Sequence, residues 1–372
     1  MIARIQQTEI DSYLFKGKAI LVFGARQVGK TSLIRSTCQN NSFLWLNGDE
    51  PDTQLLLENI TSDRLKAIVG DNKILVIDEA QMIHNIGLLI KRMVDNFPDI
   101  QIIASGSSAF ELADKTKESM VGRKEELQLF PLNYKEMVTH TNFVEETRLV
   151  PHRLVFGYYP EVVTNPGKEE KTLNDLVDGF LYKDILNLEG IKKSSTLQRL
   201  VQLLAFRIGS EISTTSLANE LGINRLTVEK YIDILEKNFI VFSLKAFSKN
   251  QDNEIKKSRK VYFWDNGLRN RIVKNFNPIE LRDDVGSLWE NFIISERLKK
   301  LSYENQYKES FFWRNTQQAE IDYLEIKNTE IDAFEIKYNQ NIKVKFSKSF
   351  TSNYHPKTTQ VIHKENFWEY LL

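Results

Sequence analysis

The stretch Gly24-Ala25-Arg26-Gln27-Val28-Gly29-Lys30-Thr31-Ser32 has the residue types and spacing of a phosphate cradle, G-x-x-x-x-G-K-[ST]. Gly24 and Gly29 let the backbone curl its N–H groups around phosphate oxygens, with Ala25, Arg26, Gln27 and Val28 as the intervening turn. Lys30 is long enough to reach the outer phosphates, and the Thr31 hydroxyl suits a metal ion. A second pair of groups follows roughly 50 residues on, where four apolar residues run into Asp78 and Glu79. Asp78 suits holding Mg²⁺ through its water shell, and Glu79 suits orienting or deprotonating an attacking water. The acids narrow a general phosphate cradle to a water-activating ATPase core.

Such groups need elements that aim them at one point. The apolar run Ala19–Phe23 predicts a strand that feeds the cradle, and Lys30 opens a helix whose positive dipole end faces the same anion. Phe43–Asn47, Lys73–Ile77 and Ile100–Ala104 read as further buried strands, with helical spacing between them. Strands alternating with helices predict a mostly parallel sheet covered on both faces, with ligands at the carboxyl ends of its strands. Ser105 falls at such an end and is a candidate sensor of the γ-phosphate; the alternative for this serine run is a plain helix cap by Ser107 or Ser108.

Composition limits the rest. At 372 residues the chain is long for one core, and 41% hydrophobic with 27% charged residues excludes a largely disordered polymer. Fifty basic residues balance fifty acidic ones, so nucleic-acid binding would have to come from a local patch. The single cysteine, Cys38, can form no internal disulfide and makes a zinc site improbable, which fits a reducing cytosol. No apolar run approaches the roughly 18–20 residues that span a bilayer, and the first residues lack a secretory core. The expected location is cytoplasmic, without a membrane partner.

Gly-Ala-Arg-Gln-Val-Gly-Lys-Thr at 24–31, Val-Ile-Asp-Glu-Ala-Gln at 76–81, Ala-Ser-Gly-Ser-Ser at 104–108, and Val121-Gly122-Arg123 ahead of Leu129-Phe130-Pro131-Leu132 together resemble the prokaryotic AAA-type ATPases that carry a DUF4143 C-terminal region. The resemblance implies an additional-strand P-loop core that uses ATP and Mg²⁺, with Glu79 as the catalytic glutamate. It also implies a phosphate contact for Arg123, as a sensor or as an arginine finger toward a neighbouring subunit of a homo-oligomer; a surface salt bridge is the competing reading. Gly157-Tyr158-Tyr159-Pro160-Glu161 and the helical stretch Leu176–Leu188 with Tyr182-Lys183-Asp184 also match the family, and both read as structural.

Farther on, Leu217–Leu221, the turn Gly222-Ile223-Asn224 and Arg225–Lys237 read as a helix-turn-helix. Two strands, Phe239–Phe242 and Val261–Trp264, would make it winged, around a basic loop with Lys245, Lys249, Lys256, Lys257, Arg259 and Lys260. That charge suits contact with DNA phosphates, whereas Glu229, Asp233 and Glu236 on the second helix oppose it and leave an internal docking module as the alternative. At the C-terminal end, Glu290 on a helix, Asp322 on one strand, and Glu335 with Lys337 on the next have the order of a PD-(D/E)XK nuclease-like site. Three carboxylates would hold a divalent metal while Lys337 handles the attacking water. The competing reading is surface charge on an edge hairpin. The resemblance implies the nuclease-like fold more firmly than its catalysis.

The expected architecture is therefore α/β: an AAA-like P-loop parallel sheet in 1–145, a helical connector in 146–195, a winged helix-turn-helix in 196–265 and a restriction-endonuclease-like domain in 266–372. The expected function is ATP hydrolysis coupled to the downstream domains. The alternatives are a DNA-binding scaffold with ATP as a slow signal, and an ATP-gated nuclease.

Overall fold

The structure is a computed structural model that describes residues 2–107, 120–184, 194–248 and 258–372. Ser108, residues 185–188 of the expected helix at Leu176–Leu188, and Lys249, Lys256 and Lys257 lie outside the described residues. The protein is α/β and divides into two compact units, Met1–Phe130 with Lys237–Phe239, and Pro131–Glu236 with Ile240–Leu372.

The first unit is built on five parallel strands, β1 (Ala19–Phe23), β2 (Phe43–Asn47), β3 (Ile74–Asp78), β4 (Gln101–Gly106) and β5 (Lys124–Gln128), in the order β2-β3-β4-β1-β5. Four of them arise from apolar runs, and β1, β3 and β4 are buried along their whole length, as strands covered on both faces must be. β4 stands between the strand that feeds the cradle and the strand that carries the acids, so Ser105 is brought between them. β5 is the strand that no apolar run announces. The strand is the polar Lys124–Gln128, which pairs with β1 alone at the sheet edge and so has no need of an apolar sequence.

The second unit holds a mixed seven-stranded sheet. Its strands are β6 (Glu211–Ile212), β7 (Val241–Ala246), β8 (Arg259–Phe263), β9 (Glu309–Arg314), β10 (Glu320–Lys327), β11 (Glu330–Ile336) and β12 (Thr358–Ile362), in the order β12-β11-β10-β9-β7-β8-β6. β7 and β9 pair in parallel, so one sheet runs across position 265/266. The helices Thr214–Leu221 and Arg225–Lys237 precede the antiparallel β7–β8 pair, and the two-residue β6 adds to the outer edge of β8.

The 19-residue helix Val285–Tyr303 buries Leu288, Trp289, Phe292, Ile293 and Ile294, and polar side chains fix it further to this sheet. The Asn291 side chain accepts from Phe263 N at 2.7 Å and donates to Phe263 O at 3.0 Å, which joins the helix to β8. Arg297 forms a two-pronged pair with the fully buried Glu325 of β10, at 2.5 and 2.9 Å, and Lys308 and Tyr370 donate to the same carboxylate. Charge-assisted forks of this kind fix angle as well as distance. They set the helix so that Glu290 meets the side chains of β8. No described helix is long and apolar enough to cross a membrane.

Candidate functional site

The cradle follows the carboxyl end of β1. Gly24 cannot carry a side chain because a Cβ there would stand 2.1 Å from Leu129 O. Gly29 sits at φ +98°, a left-handed conformation that glycine adopts without steric cost. Ala25 and Val28 are buried and anchor the loop, while Arg26, Gln27, Thr31 and Ser32 lie toward its accessible side. The Lys30 ammonium donates to Gly24 O at 2.8 Å and Ala25 O at 2.9 Å. Burial pulls Lys30 down to about 8, against the opposing pull of Glu79 and Asp78.

Asp78 ends β3 and accepts from Thr31 Oγ1 at 3.0 Å; its other carboxylate oxygen accepts a short bond from Ser105 Oγ. Thr31, Asp78 and Ser105 are thus drawn together from the helix Lys30–Cys38, β3 and β4. Glu79 has a left-handed backbone, φ +47°, at the turn from β3 into the Ala80–Met82 turn. Its carboxylate accepts from Gln81 Nε2 at 2.6 Å, and the same amide reaches Ser107 Oγ at 3.2 Å. Non-glycine residues in this conformation are uncommon and gather where a side chain has to be aimed. An anion fits this cradle on three grounds: a buried ammonium hydrogen-bonded only to carbonyls, a helix start at Lys30 and glycines that admit close approach. Thr31 and Asp78 are the residues that would hold Mg²⁺ there.

Some residues at the cradle were not singled out from the sequence. Arg4 donates to Val28 O at 2.5 Å and Phe130 O at 2.8 Å, tying the loop to the segment that follows β5. No local signal marks it, because its partners lie 24 and 126 residues away. Gln81 and Ser107 belong to the surroundings of Glu79; in sequence Gln81 stood only within the motif at 76–81 and Ser107 as a candidate helix cap.

Arg123 is a correction. The parallel register pairs Ala19 with Lys124, and Ala19 N donates to Arg123 O, so Arg123 stands at the amino end of β5. The cradle lies past the carboxyl end of the neighbouring strand, about 17 Å farther at the usual rise per residue. Its side chain instead pairs with Asp95 at 2.5 Å on the surface. Arg123 is not a phosphate sensor of its own cradle.

The C-terminal residues converge, with different partners from those expected. Lys337 Nζ lies 2.6 Å from Asp322 Oδ2 and 3.0 Å from Glu335 Oε2, and Ile336 N donates to the same Asp322 oxygen at 2.8 Å. Glu290 accepts from Lys260 Nζ at 3.1 Å and from Tyr262 Oη at 2.6 Å, and Lys260 also makes a short ion pair with Glu320. Burial raises Glu335 to about 7, with Asp322 adding to the shift. Burial alone would lower Lys260, yet Glu290, Glu320 and Asp322 hold it above the usual lysine range. Among the described residues no group of three His, Cys, Asp or Glu is placed to hold a metal ion. Glu290, Asp322 and Glu335 therefore do not form the expected three-carboxylate cage. Lys260 is also not a surface wing residue: it is buried in β8. The signal was its spacing, since Lys260 and Tyr262 fall on one face of a strand and Tyr262 is fully buried.

Comparison with known proteins places these features. The model of an AAA domain matches residues 16–138, and models of two domains of unknown function, DUF8612 and DUF4143, match 147–278 and 285–368. DUF8612 was not foreseen from the sequence. An uncharacterized protein of Mycobacterium tuberculosis is 26% identical over 329 residues, covering 87% of this chain and 71% of its own. An uncharacterized protein of Haemophilus influenzae is 22% identical over 373 residues, covering 96% and 86%. The Walker-type ATPase of Pyrococcus abyssi, at 14% identity, shares the fold with a TM-score of 0.52 over 73% of this chain and 96% of that one. The cradle and the acids thus lie in a region that matches an AAA-type ATPase domain, followed by regions that match the uncharacterized DUF8612 and DUF4143 domains.

Proposed function

We propose that the chain is a Mg²⁺-dependent ATPase whose nucleotide state controls the downstream unit. The observation that carries the reading is the meeting of Lys30, Thr31, Asp78, Glu79 and Ser105 at the carboxyl ends of β1, β3 and β4. Backbone N–H groups of 24–31 and the Lys30 ammonium bind and orient the triphosphate. Thr31 and Asp78 would hold Mg²⁺, which would supply positive charge to offset the charge that develops on the phosphates. Ser105 fixes one Asp78 oxygen, leaving Glu79 to take a proton from the attacking water. Gln81 sets the direction of the Glu79 carboxylate before water is bound. The test is phosphate release from ATP by the full chain, with Lys30→Ala and Glu79→Gln alongside. Turnover unchanged in Glu79→Gln would refute its role as base.

A second reading, nucleic acid as the partner of the downstream unit, is favoured by one observation. One of the acids that oppose DNA is engaged internally: Glu229 accepts from Arg225 Nε at 2.9 Å. With Arg225 and Glu229 paired to each other, exposed Lys230 stands on that helix beside exposed Asp233. With the β7–β8 pair behind them, the two helices fit a winged helix-turn-helix. ATP turnover measured with and without duplex DNA, and a salt titration of duplex binding, decide it; binding that does not weaken with salt removes the reading.

A further inference from the structure

We propose that the Lys260 ammonium occupies the position a divalent cation would take among Glu290, Glu320 and Asp322, making this carboxylate cluster a metal-free ionic joint between β8, β10 and the helix Val285–Tyr303. The nuclease-like reading of the DUF4143 region implies a metal there, and the residues present do not fit one. Lys260 Nζ touches carboxylates from two different elements, Glu290 at 3.1 Å and Glu320 through a short ion pair, and its charge acts on Asp322 as well. It is only 2% exposed and lies 5.5 Å from the centre of the Phe312 ring, an aromatic face that suits an ammonium.

One oxygen of each neighbouring carboxylate is already engaged. One Asp322 oxygen receives both Lys337 Nζ and Ile336 N, Glu335 is held by Lys337, and Tyr262 donates to the same Glu290 oxygen as Lys260. A magnesium-like ion would need about six oxygen ligands in near-octahedral array. Charge is also near balance without a metal. Four carboxylates, Glu290, Glu320, Asp322 and Glu335, face Lys260, Lys337 and Arg314, whose Nε stands 3.6 Å from Glu320.

The joint has a mechanical meaning. Lys260 lies on β8, which follows the two helices at 214–237, whereas Glu320 and Asp322 lie on β10. One ammonium therefore ties the hairpin to the C-terminal strands. This reading stands apart from ATP hydrolysis, and the test uses no nucleotide.

Manganese binding to the full chain is followed by electron paramagnetic resonance of free Mn²⁺, in an Asp78→Asn background that removes the P-loop metal ligand. With Lys260 present, no Mn²⁺ uptake that Asp322→Asn or Glu290→Gln changes is expected. Lys260→Met should bind Mn²⁺ at least about tenfold more tightly, in a manner lost again on Asp322→Asn. Uptake by the Lys260 chain that Asp322→Asn lowers, or a folded Lys260→Met chain that gains none, overturns the proposal. If Lys260→Met does not fold, amine labelling of the Lys260 chain decides: protection of Lys260 that saturating Mn²⁺ leaves unchanged upholds it, and Mn²⁺-dependent labelling of Lys260 overturns it.

Discussion

Lys30 and Lys260 are both buried lysines, and their surroundings drive them in opposite directions. Lys30 donates to two backbone carbonyls, and burial brings it down to about 8. Lys260 is just as buried, yet carboxylates on two sides keep it charged well into alkaline solution. A buried charge without a full counter-charge is expensive, so its presence points to a ligand of opposite sign. A buried charge with matched partners is spent on holding elements together. The same residue type thus marks a binding site in the parallel sheet and a fastening in the mixed one.

The comparison can be broken most directly at the cradle. Lys30→Ala should remove detectable ATP binding, measured by calorimetry, and with it phosphate release; a chain that still binds would place the anion site elsewhere. Glu79→Gln should keep binding but slow hydrolysis by about 10²-fold to 10⁴-fold in a single-turnover assay. Lys260→Met should cost roughly 3–5 kcal/mol of stability in a urea titration, because it leaves buried carboxylates uncompensated. A loss near zero would mean that Lys260 does not fasten the sheet.

A finer distinction comes from pH. Phosphate binding favours the charged Lys30, whose amine in the free protein is neutral above about 8. Binding must then take up a proton, so ATP affinity should fall by up to about tenfold per unit above that pH. Below it, affinity should be flat. The same linkage has a stability side with a definite sign. The unfolded lysine holds its proton to its ordinary value of 10.5, so between about 8 and 10.5 the unfolded state binds more protons, and Lys30 destabilises the fold less as pH rises through that window. The smallest effect is expected at Arg123: with its ion pair to Asp95 on the surface, Arg123→Ala should change turnover by less than about twofold. A large drop would instead require that Arg123 act on a neighbouring copy of the chain.

The cradle was legible because its function depends on backbone conformation and on neighbours in sequence: Gly24, Gly29, Lys30 and Thr31 fall within eight positions, and Asp78 and Glu79 adjoin an apolar strand. The place of Arg123 was not legible, since a polar edge strand leaves no hydrophobic pattern to show that β5 starts there. Lys260 misled for a related reason. In sequence it closes a basic run that resembles a phosphate-binding loop; in space it is the cation among carboxylates 30 and 60 residues further on.

By itself, then, the order of residues determined the chemistry that local spacing carries: a glycine-framed anion cradle, an acid pair after a buried strand, and a strand in which Glu335 and Lys337 share a face. The tertiary structure decided which charges neutralise which. Ion pairing falls off with distance in space, and only the folded sheets bring β8, β10 and the helix at 285–303 close enough for one lysine to serve three carboxylates.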